Sequence, residues 1–216
     1  NIMYLKYETL SASVQNMLEK DNWILNTGNK LVSAVDDGHD RAMYSAFASA
    51  QFAYDEWLSL DLTARNDWSS TLPVDNRSYF YPSVSGAFAF TQLLQDLDVM
   101  NNDILTFGKI RASWAGVGKD TNPYVTSTYL WPVGTYIGGV SGVGHHWQRG
   151  NANLKPEITE STELGLELRF FKNRLKFDYA YYTNNSYNQI LTPRLSNGSG
   201  YILYSVNAGD VYNKGM

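Results

Sequence analysis

The sequence predicts an all-β fold built on one large antiparallel sheet. Three observations predict it. Six successive segments alternate polar and apolar residues with a period of two. Their hairpins can be closed so that apolar face meets apolar face. The connections between them alternate between short and long.

The segments follow in chain order. In Ala42–Tyr54 the even positions include Tyr44, Ala46, Ala48, Ala50, Phe52 and Tyr54, and the odd ones Ser45, Ser49 and Gln51. Leu58–Arg65 sets Leu58, Leu60, Leu62 and Ala64 against Ser59, Asp61, Thr63 and Arg65. Phe80–Thr91 sets Phe80, Val84, Phe88 and Phe90 against Ser83, Ser85 and Thr91. In Thr106–Val117 the two faces are Ile110, Ala112 and Trp114 against Lys109, Arg111 and Ser113. Thr159–Phe171 sets Leu164, Leu166, Leu168 and Phe170 against Glu163, Glu167 and Arg169. Leu175–Thr183 sets Leu175, Phe177, Tyr179 and Tyr181 against Lys176 and Asp178. Strict alternation of this kind marks half-buried strands.

Register sharpens the expectation, because a slip of one residue turns every side chain to the other face. A turn at Lys172-Asn173 places Phe170 opposite Leu175, Leu168 opposite Phe177, Leu166 opposite Tyr179 and Leu164 opposite Tyr181. Glu167 then lies diagonal to Lys176, and Arg169 to Asp178, within reach of long side chains. The earlier hairpin needs an odd turn. A two-residue turn would pair Leu60 with Gln51, whereas Asp55-Glu56-Trp57 pairs Leu60 with Phe52 and Leu62 with Ala50.

Residues 1–40 read differently. Ser11 can cap a short helix carrying Val14, Met17 and Leu18, and "AVDDGHDR" reads as a loop. Beyond Leu62, Arg65 is expected to end the polar row and Asn66-Asp67 to turn the chain. That leaves Trp68 near the outer interface or inside a bundle of loops.

Composition narrows the class. Of the 216 residues, 44% are hydrophobic and 14% aromatic, and the net charge is −4. Charged residues make up 18%, below the roughly 25% of ordinary soluble domains. The acidic balance gives no reason to expect nucleic acid as a partner. The absence of Cys excludes a disulfide framework and a thiolate metal site. No apolar run approaches the roughly 18 residues of a membrane helix, and no signal peptide is visible. The opening on Asn1 and the closing "NAGDVYNKGM" suggest a piece of a longer chain.

Asp55–Trp57, Lys172-Asn173 and the intermediate Leu94–Leu105 fall at one end of the sheet. The long connections 66–79, 119–158 and the stretch after Gln189 fall at the other. This is the asymmetry of an outer-membrane barrel, with short periplasmic turns and long extracellular loops. Tyr44, Tyr54, Trp57, Phe80, Trp114 and Phe170 near strand ends fit interfacial girdles. A secreted or surface β-sandwich that binds glycans also alternates, and it stays open as the second reading. A passive porin shares the barrel and is the third.

Four stretches resemble the barrel of SusC-like TonB-dependent transporters of the Bacteroidetes outer membrane. They are "LSLDLTARNDWSSTLPVDNRSYFYPSVSGAFAFTQL", "LTFGKIRASWAGVGKDTNPY", "NANLKPEITESTELGLELRFFKNRLKFDYAYY" and "VNAGDVYNKGM". The resemblance covers 41–216 and implies the C-terminal part of a transmembrane β-barrel: six to seven strands of about 22. Residues 1–40 are then an extracellular loop region with a short helix. It further implies active import of oligosaccharides or peptides across the bacterial outer membrane. The implied partners are a SusD-like lipoprotein, TonB through a region absent from this chain, outer-membrane lipid and the remaining part of the barrel. No cofactor and no enzymatic activity are implied.

Chemistry-bearing constellations are sparse. His145-His146 is a poor chelating pair, since neighbours on a strand point to opposite faces, so no metal site is expected. Glu163 and Glu167 sit about 13 Å apart at Cα, which is long for a glycosidase pair. They fit a lumen-facing ladder with Asp61, Arg65, Lys109, Arg111 and Arg169. "DDGHD" lacks the terminal Glu of a calcium loop, and "GTYIGGVSGVGHHW" fits no phosphate loop. The candidates for contact with ligand or partner are Tyr129, Trp131, Tyr136 and Trp147 in the long loop, with Trp68. Exposed aromatic rings stack on sugars or pack on proteins.

Overall fold

A computed structural model of the chain describes residues 1–17, 28–97, 104–135 and 141–216. In chain order the elements are β1 (Ile2–Met17), β2 (Gly28–Tyr54), β3 (Leu58–Ser69), β4 (Ser78–Phe88), the helix α1 (Phe90–Asp96) and β5 (Leu105–Lys119). There follow β6 (Leu130–Thr135), β7 (Ser141–His145), β8 (Gln148–Arg149), β9 (Glu157–Phe170) and β10 (Leu175–Tyr187). Last come β11 (Ile190–Leu191), β12 (Leu203–Tyr204), β13 (Val206–Asn207) and β14 (Val211–Gly215). One sheet of eight strands, ordered β1-β2-β3-β4-β5-β9-β10-β14, forms the wall. The remaining strands are short pairs inside the connections. The six alternating segments all lie in the wall, and β1 and β14 extend it on either side.

Both hairpin registers are as the alternation requires. Phe52 lies opposite Leu60 and Ala50 opposite Leu62, across a turn in which Asp55 and Glu56 take positive φ. In the β9–β10 hairpin Phe170 lies opposite Leu175 and Leu164 opposite Tyr181. Its turn is wider than the tight two-residue form, with Phe171, Lys172 and Asn173 all at positive φ. Carried across the wall, these registers give two adjacent rows. Phe52, Leu60, Gly86, Ala112, Leu164 and Tyr181 form one, and Gln51, Asp61, Ser85, Ser113, Glu163 and Tyr182 form the next. Side chains of neighbouring rows point to opposite faces, so one face is apolar and the other polar.

The apolar face is uncovered. Leu58, Leu60 and Leu62 are 41%, 37% and 37% exposed, and Phe52, Ile110, Leu164 and Phe177 are exposed as well. Among the described residues four apolar side chains are buried and eight polar or charged ones. That is the reverse of a soluble protein, in which apolar groups fill the interior. A β-sandwich would cover this face with a second sheet, and the other sheets here are two-stranded pairs. Leaving so much apolar surface in water costs about 25 cal/mol per Å², and contact with lipid removes that cost. The wall strands β3, β4, β5, β9 and β10, of 11 to 15 residues, meet the length of about 9–11 needed for a tilted crossing.

Four expectations are corrected. Ser11–Met17 is strand, not helix: Ser11 lies opposite Val35, and the register runs to Met17 opposite Gly28. Leu18 lies outside the described residues. "DDGHD" is strand as well, with Asp36 opposite Leu10 and Asp40 opposite Lys6. Long-range pairing overrides the weak β-propensity of Asp and Gly in such a ladder. β3 runs past Arg65 to Ser69, so Asn66 and Asp67 continue the strand opposite Phe80 and Tyr79. β4 ends at Phe88, and Phe90 and Thr91 enter α1. There the Phe90 ring lies so close to Gly108 that a Cβ would stand 2.1 Å from it. The Gly108 N–H donates to Thr91 Oγ1 at 2.8 Å.

β2 is 27 residues long, and only Met43–Tyr54 pairs with β3. Gly28–Tyr44 pairs with β1 instead. The β1–β2 hairpin therefore stands about 50 Å beyond the end of β3, at roughly 3.3 Å per residue. It rises at the end that carries the long connections.

Candidate functional site

On the polar face, three strands form a charge ladder. Glu167 is buried, held by Arg169 at 2.7 Å and by Lys176 at 3.2 Å. Asp178 takes Arg111 at 2.9 Å and Lys176 at 3.7 Å. The Glu167–Lys176 diagonal is the expected one. Arg169 pairs with Glu167 on its own strand instead of Asp178, since Arg111 from β5 reaches Asp178 first. Lys109 lies opposite Glu167 on β5. Asp61, Arg65, Lys109, Arg111, Glu163, Glu167 and Arg169 all share this polar face. Among the described residues no group of three His, Asp or Glu side chains converges as a metal site.

A second cluster lies at the outer end of the wall. Arg65 donates through Nε to Asp67 at 2.8 Å and through a terminal nitrogen to Ser45 at 3.1 Å. The Tyr81 hydroxyl donates to the other Asp67 oxygen at 2.6 Å. One level higher, Arg41 donates to Asp120 at 2.6 Å. The hydroxyls of Ser69 and Thr71 donate to the second Asp120 oxygen. This knot ties the foot of the β1–β2 hairpin to the β3–β4 and β5–β9 connections. The Asp40 N–H donates to the Tyr124 hydroxyl at 3.3 Å, and Tyr124 holds φ at 65°.

The outer connections are stitched around "NANLKPE". Leu154 is fully buried, and its carbonyl accepts from Asn76 at 3.0 Å. Asn151 donates to the Ser205 carbonyl at 2.9 Å. Asn207 exchanges hydrogen bonds with the Lys155 backbone, each 2.8 Å. Short side-chain amides can satisfy the backbone groups of irregular loops, and here three connections are joined by them. Where the loops fold over the polar face, a cavity of about 430 Å³ opens. Its lining includes Arg41, Lys119, Asp120, Gln148, Glu157 and Ser205. A larger trough of about 550 Å³, lined by Leu60, Gly86, Phe88, Ala112, Trp114 and Leu164, lies on the apolar face and is a lipid-facing depression.

The aromatic candidates divide. Tyr129 stacks on His146 at 4.4 Å, Trp131 stands edge-on to His146, and Trp131 and Trp147 lie 6.1 Å apart. All three of these aromatic side chains stay exposed. His145 packs on Tyr201 instead, so the two adjacent histidines diverge. Tyr136 lies outside the described residues. Trp68 does not join the cluster: it sits on the apolar face between Tyr44 and Ser78, at the level of an interfacial girdle. The Asp120 knot and the Asn151–Ser205 seam carry no short motif, because their members come from distant connections. The one local signal is the pair of asparagines before Leu154.

The comparisons agree with this geometry. Residues 5–216 match the family model described as TonB dependent receptor-like, beta-barrel. TonB-dependent receptor P26 of Formosa agariphila is 30% identical over 175 residues, which cover 79% of this chain and 17% of that protein. TonB-dependent receptor P3 of the same organism is 31% identical over 180 residues, covering 82% and 18%. The chain thus spans less than a fifth of the length of these curated relatives. Among solved structures, the RagAB peptide transporter superposes with a TM-score of 0.84 at 22% identity, covering 99% of this chain and 24% of that one. The siderophore receptor PirA of Pseudomonas aeruginosa gives 0.53 at 18% identity, covering 82% and 30%. With its apolar face outward and its polar face inward, the chain belongs to the TonB-dependent receptor-like β-barrel family of the bacterial outer membrane.

Proposed function

We propose that the chain is part of an active importer of the SusC-like kind, carrying oligosaccharides or peptides inward together with a SusD-like surface lipoprotein. One observation carries the reading: a wall apolar outside and polar inside, whose outer end is roofed by ordered connections. The charge ladder from Lys109 to Asp178 gives the inward face hydrated, mutually neutralised groups suited to a polar passage. RagAB is described as a peptide importer, and the likeness of its fold supports the same kind of work here. The partner is supported by the β1–β2 hairpin. Tyr4 and Leu10 are exposed on one side of β1, and Leu5 and Tyr7 on the other, so a protein lid has apolar footholds there. Tyr129, Trp131 and Trp147 offer a further contact for cargo or lid.

The test is uptake by cells carrying the full-length gene, with and without a functional TonB. Import that vanishes without TonB, together with a lipoprotein that co-purifies with the barrel, supports the reading. Diffusive uptake indifferent to TonB would count against it and favour a passive pore.

A further inference from the structure

We propose that the trough on the apolar face is the seat of a single lipid. An acyl chain lies in the trough, and an anionic phosphate headgroup is held at its upper end by Lys214. The inference goes beyond import and stands on the membrane-facing wall alone.

The recess comes from two small residues side by side. Leu60, Gly86, Ala112 and Leu164 share one row of the apolar face. Gly86 and Ala112 leave a gap between the flanking leucines. Val84 and Trp114 bound it above, and Phe88 and Ile110 below. The space measures about 550 Å³. Phe88 to Val84 spans about 13 Å, at roughly 3.3 Å per residue, close to one leaflet of a hydrocarbon core ~30 Å thick. A lipid tail gains nothing here by leaving water, since its neighbours are as apolar as leucine. The gain is packing. Lining atoms that face a void lose their dispersion contacts, and one extended chain restores them.

The apolar band runs obliquely to the rows. On β3 its parity carries Leu62, Ala64 and, at the girdle, Trp68. Thr162 and Thr183 share the row of Leu62, yet they are polar. Strands tilted by roughly 35–45° produce this obliquity. The two threonines therefore stand at the outer edge of the band, while Leu62 lies within it. From Thr162, which lines the trough, the recess descends past Ala112 and Gly86 to Phe88.

The mouth of the trough carries a cation. Thr183 lies opposite Thr162 on one side and Lys214 on the other. Two hydroxyls and an ammonium thus form one line on the lipid-facing side. Among the described residues none of these three side chains enters a hydrogen bond, and Lys214, which is exposed, enters no ion pair. Phosphate oxygens accept from hydroxyl and ammonium alike, and a cation at this level attracts anionic lipid. Glu160, one row farther out on the same face, takes the Tyr187 hydroxyl at 3.2 Å. Its charge keeps the phosphate on the Lys214 side. A partner's membrane helix fits less well, because it needs an apolar strip through the full ~30 Å and the recess is confined to one leaflet.

The test is native mass spectrometry of the full-length protein, released from micelles that contain phosphatidylglycerol and phosphatidylcholine with identical acyl chains. Phosphatidylglycerol should stay bound in preference to phosphatidylcholine. Lys214→Gln should reduce that preference about five-fold, the worth of one cation beside anionic lipid. Gly86→Leu with Ala112→Leu fills the trough and should reduce retention of both lipids several-fold. The wall accommodates the change, because a Cβ at Gly86 meets only Ser59 O at 3.7 Å and Leu60 Cδ1 at 4.0 Å. Ala50→Leu, on the same face but outside the trough, should alter neither lipid. Excess inorganic phosphate should not displace the bound lipid. Equal retention of the two lipids, indifference to Lys214→Gln or to the filled trough, or displacement by inorganic phosphate overturns the proposal. So does a second protein that is retained in place of lipid and lost when the trough is filled.

Discussion

Arg41 and Asp120 meet at 2.6 Å although 79 residues separate them in the chain. Asp120 is nearly enclosed, and Ser69 and Thr71 spend their hydroxyls on its other oxygen. Removing one member of a buried pair leaves the other uncompensated. Asp120→Ala should therefore destabilise the outer end by about 2–3 kcal/mol, below the usual cost because Arg41 is partly open to solvent. Urea titration of the folded, heat-modifiable band of the full-length protein reads this loss. Replacing both residues together, as Arg41→Met with Asp120→Leu, should restore most of it.

The polarity of the wall makes an asymmetric prediction. Leu62→Arg places a charge on the lipid face and should cost about 2–4 kcal/mol near the bilayer midplane. Thr63→Arg, one residue on, points to the polar face and should be tolerated. Equilibrium unfolding from lipid vesicles separates the two. Equal costs would contradict the assignment of faces.

The odd turn is a further commitment. Deleting Glu56 from Asp55-Glu56-Trp57 forces β3 either to slip or to turn Leu58, Leu60 and Leu62 toward the polar side. Such a variant should fail to assemble, and surface labelling of intact cells should lose it. Exchanging Glu56 for Gly keeps the length, eases a positive φ of 59°, and should assemble normally.

Helix α1 is docked through a missing side chain. A Cβ at Gly108 would collide with the Phe90 ring. Gly108→Ala should cost about 1–3 kcal/mol by overpacking and expose the β4–β5 connection to added protease. Phe90→Ala in the same chain should relieve the clash, and a double variant as protease-sensitive as Gly108→Ala would disprove this contact.

The wall was legible in the sequence because its alternation is enforced twice, by lipid on one side and water on the other. Phe52 opposite Leu60 and Leu164 opposite Tyr181 followed from parity alone. Residues 1–40 misled because Ser11, Val14 and Met17 have helical spacing, and the partner that makes them strand lies on the far arm of a long hairpin. β3 was read short because Asn66 and Asp67 are turn formers locally. Here Asp67 is held in the ladder by Arg65 and Tyr81. The Asp120 knot, the Ser205 seam and the polar cavity they line stayed hidden, since each joins connections distant in sequence with residues common in any loop. The loop aromatics were legible as a group. Trp68 separated from them only when the strand continued past Arg65.

The most direct test of the central claim is a cysteine scan of Leu58–Arg65, which the absence of native Cys in this chain permits. Each variant of the full-length barrel is labelled with a fluorophore in lipid vesicles and quenched from the acyl chains or from water. Positions 58, 60 and 62 should be quenched by brominated lipid, and positions 59, 61 and 63 by aqueous iodide. Quenching without that alternation, or with the faces exchanged, would contradict an outward apolar wall.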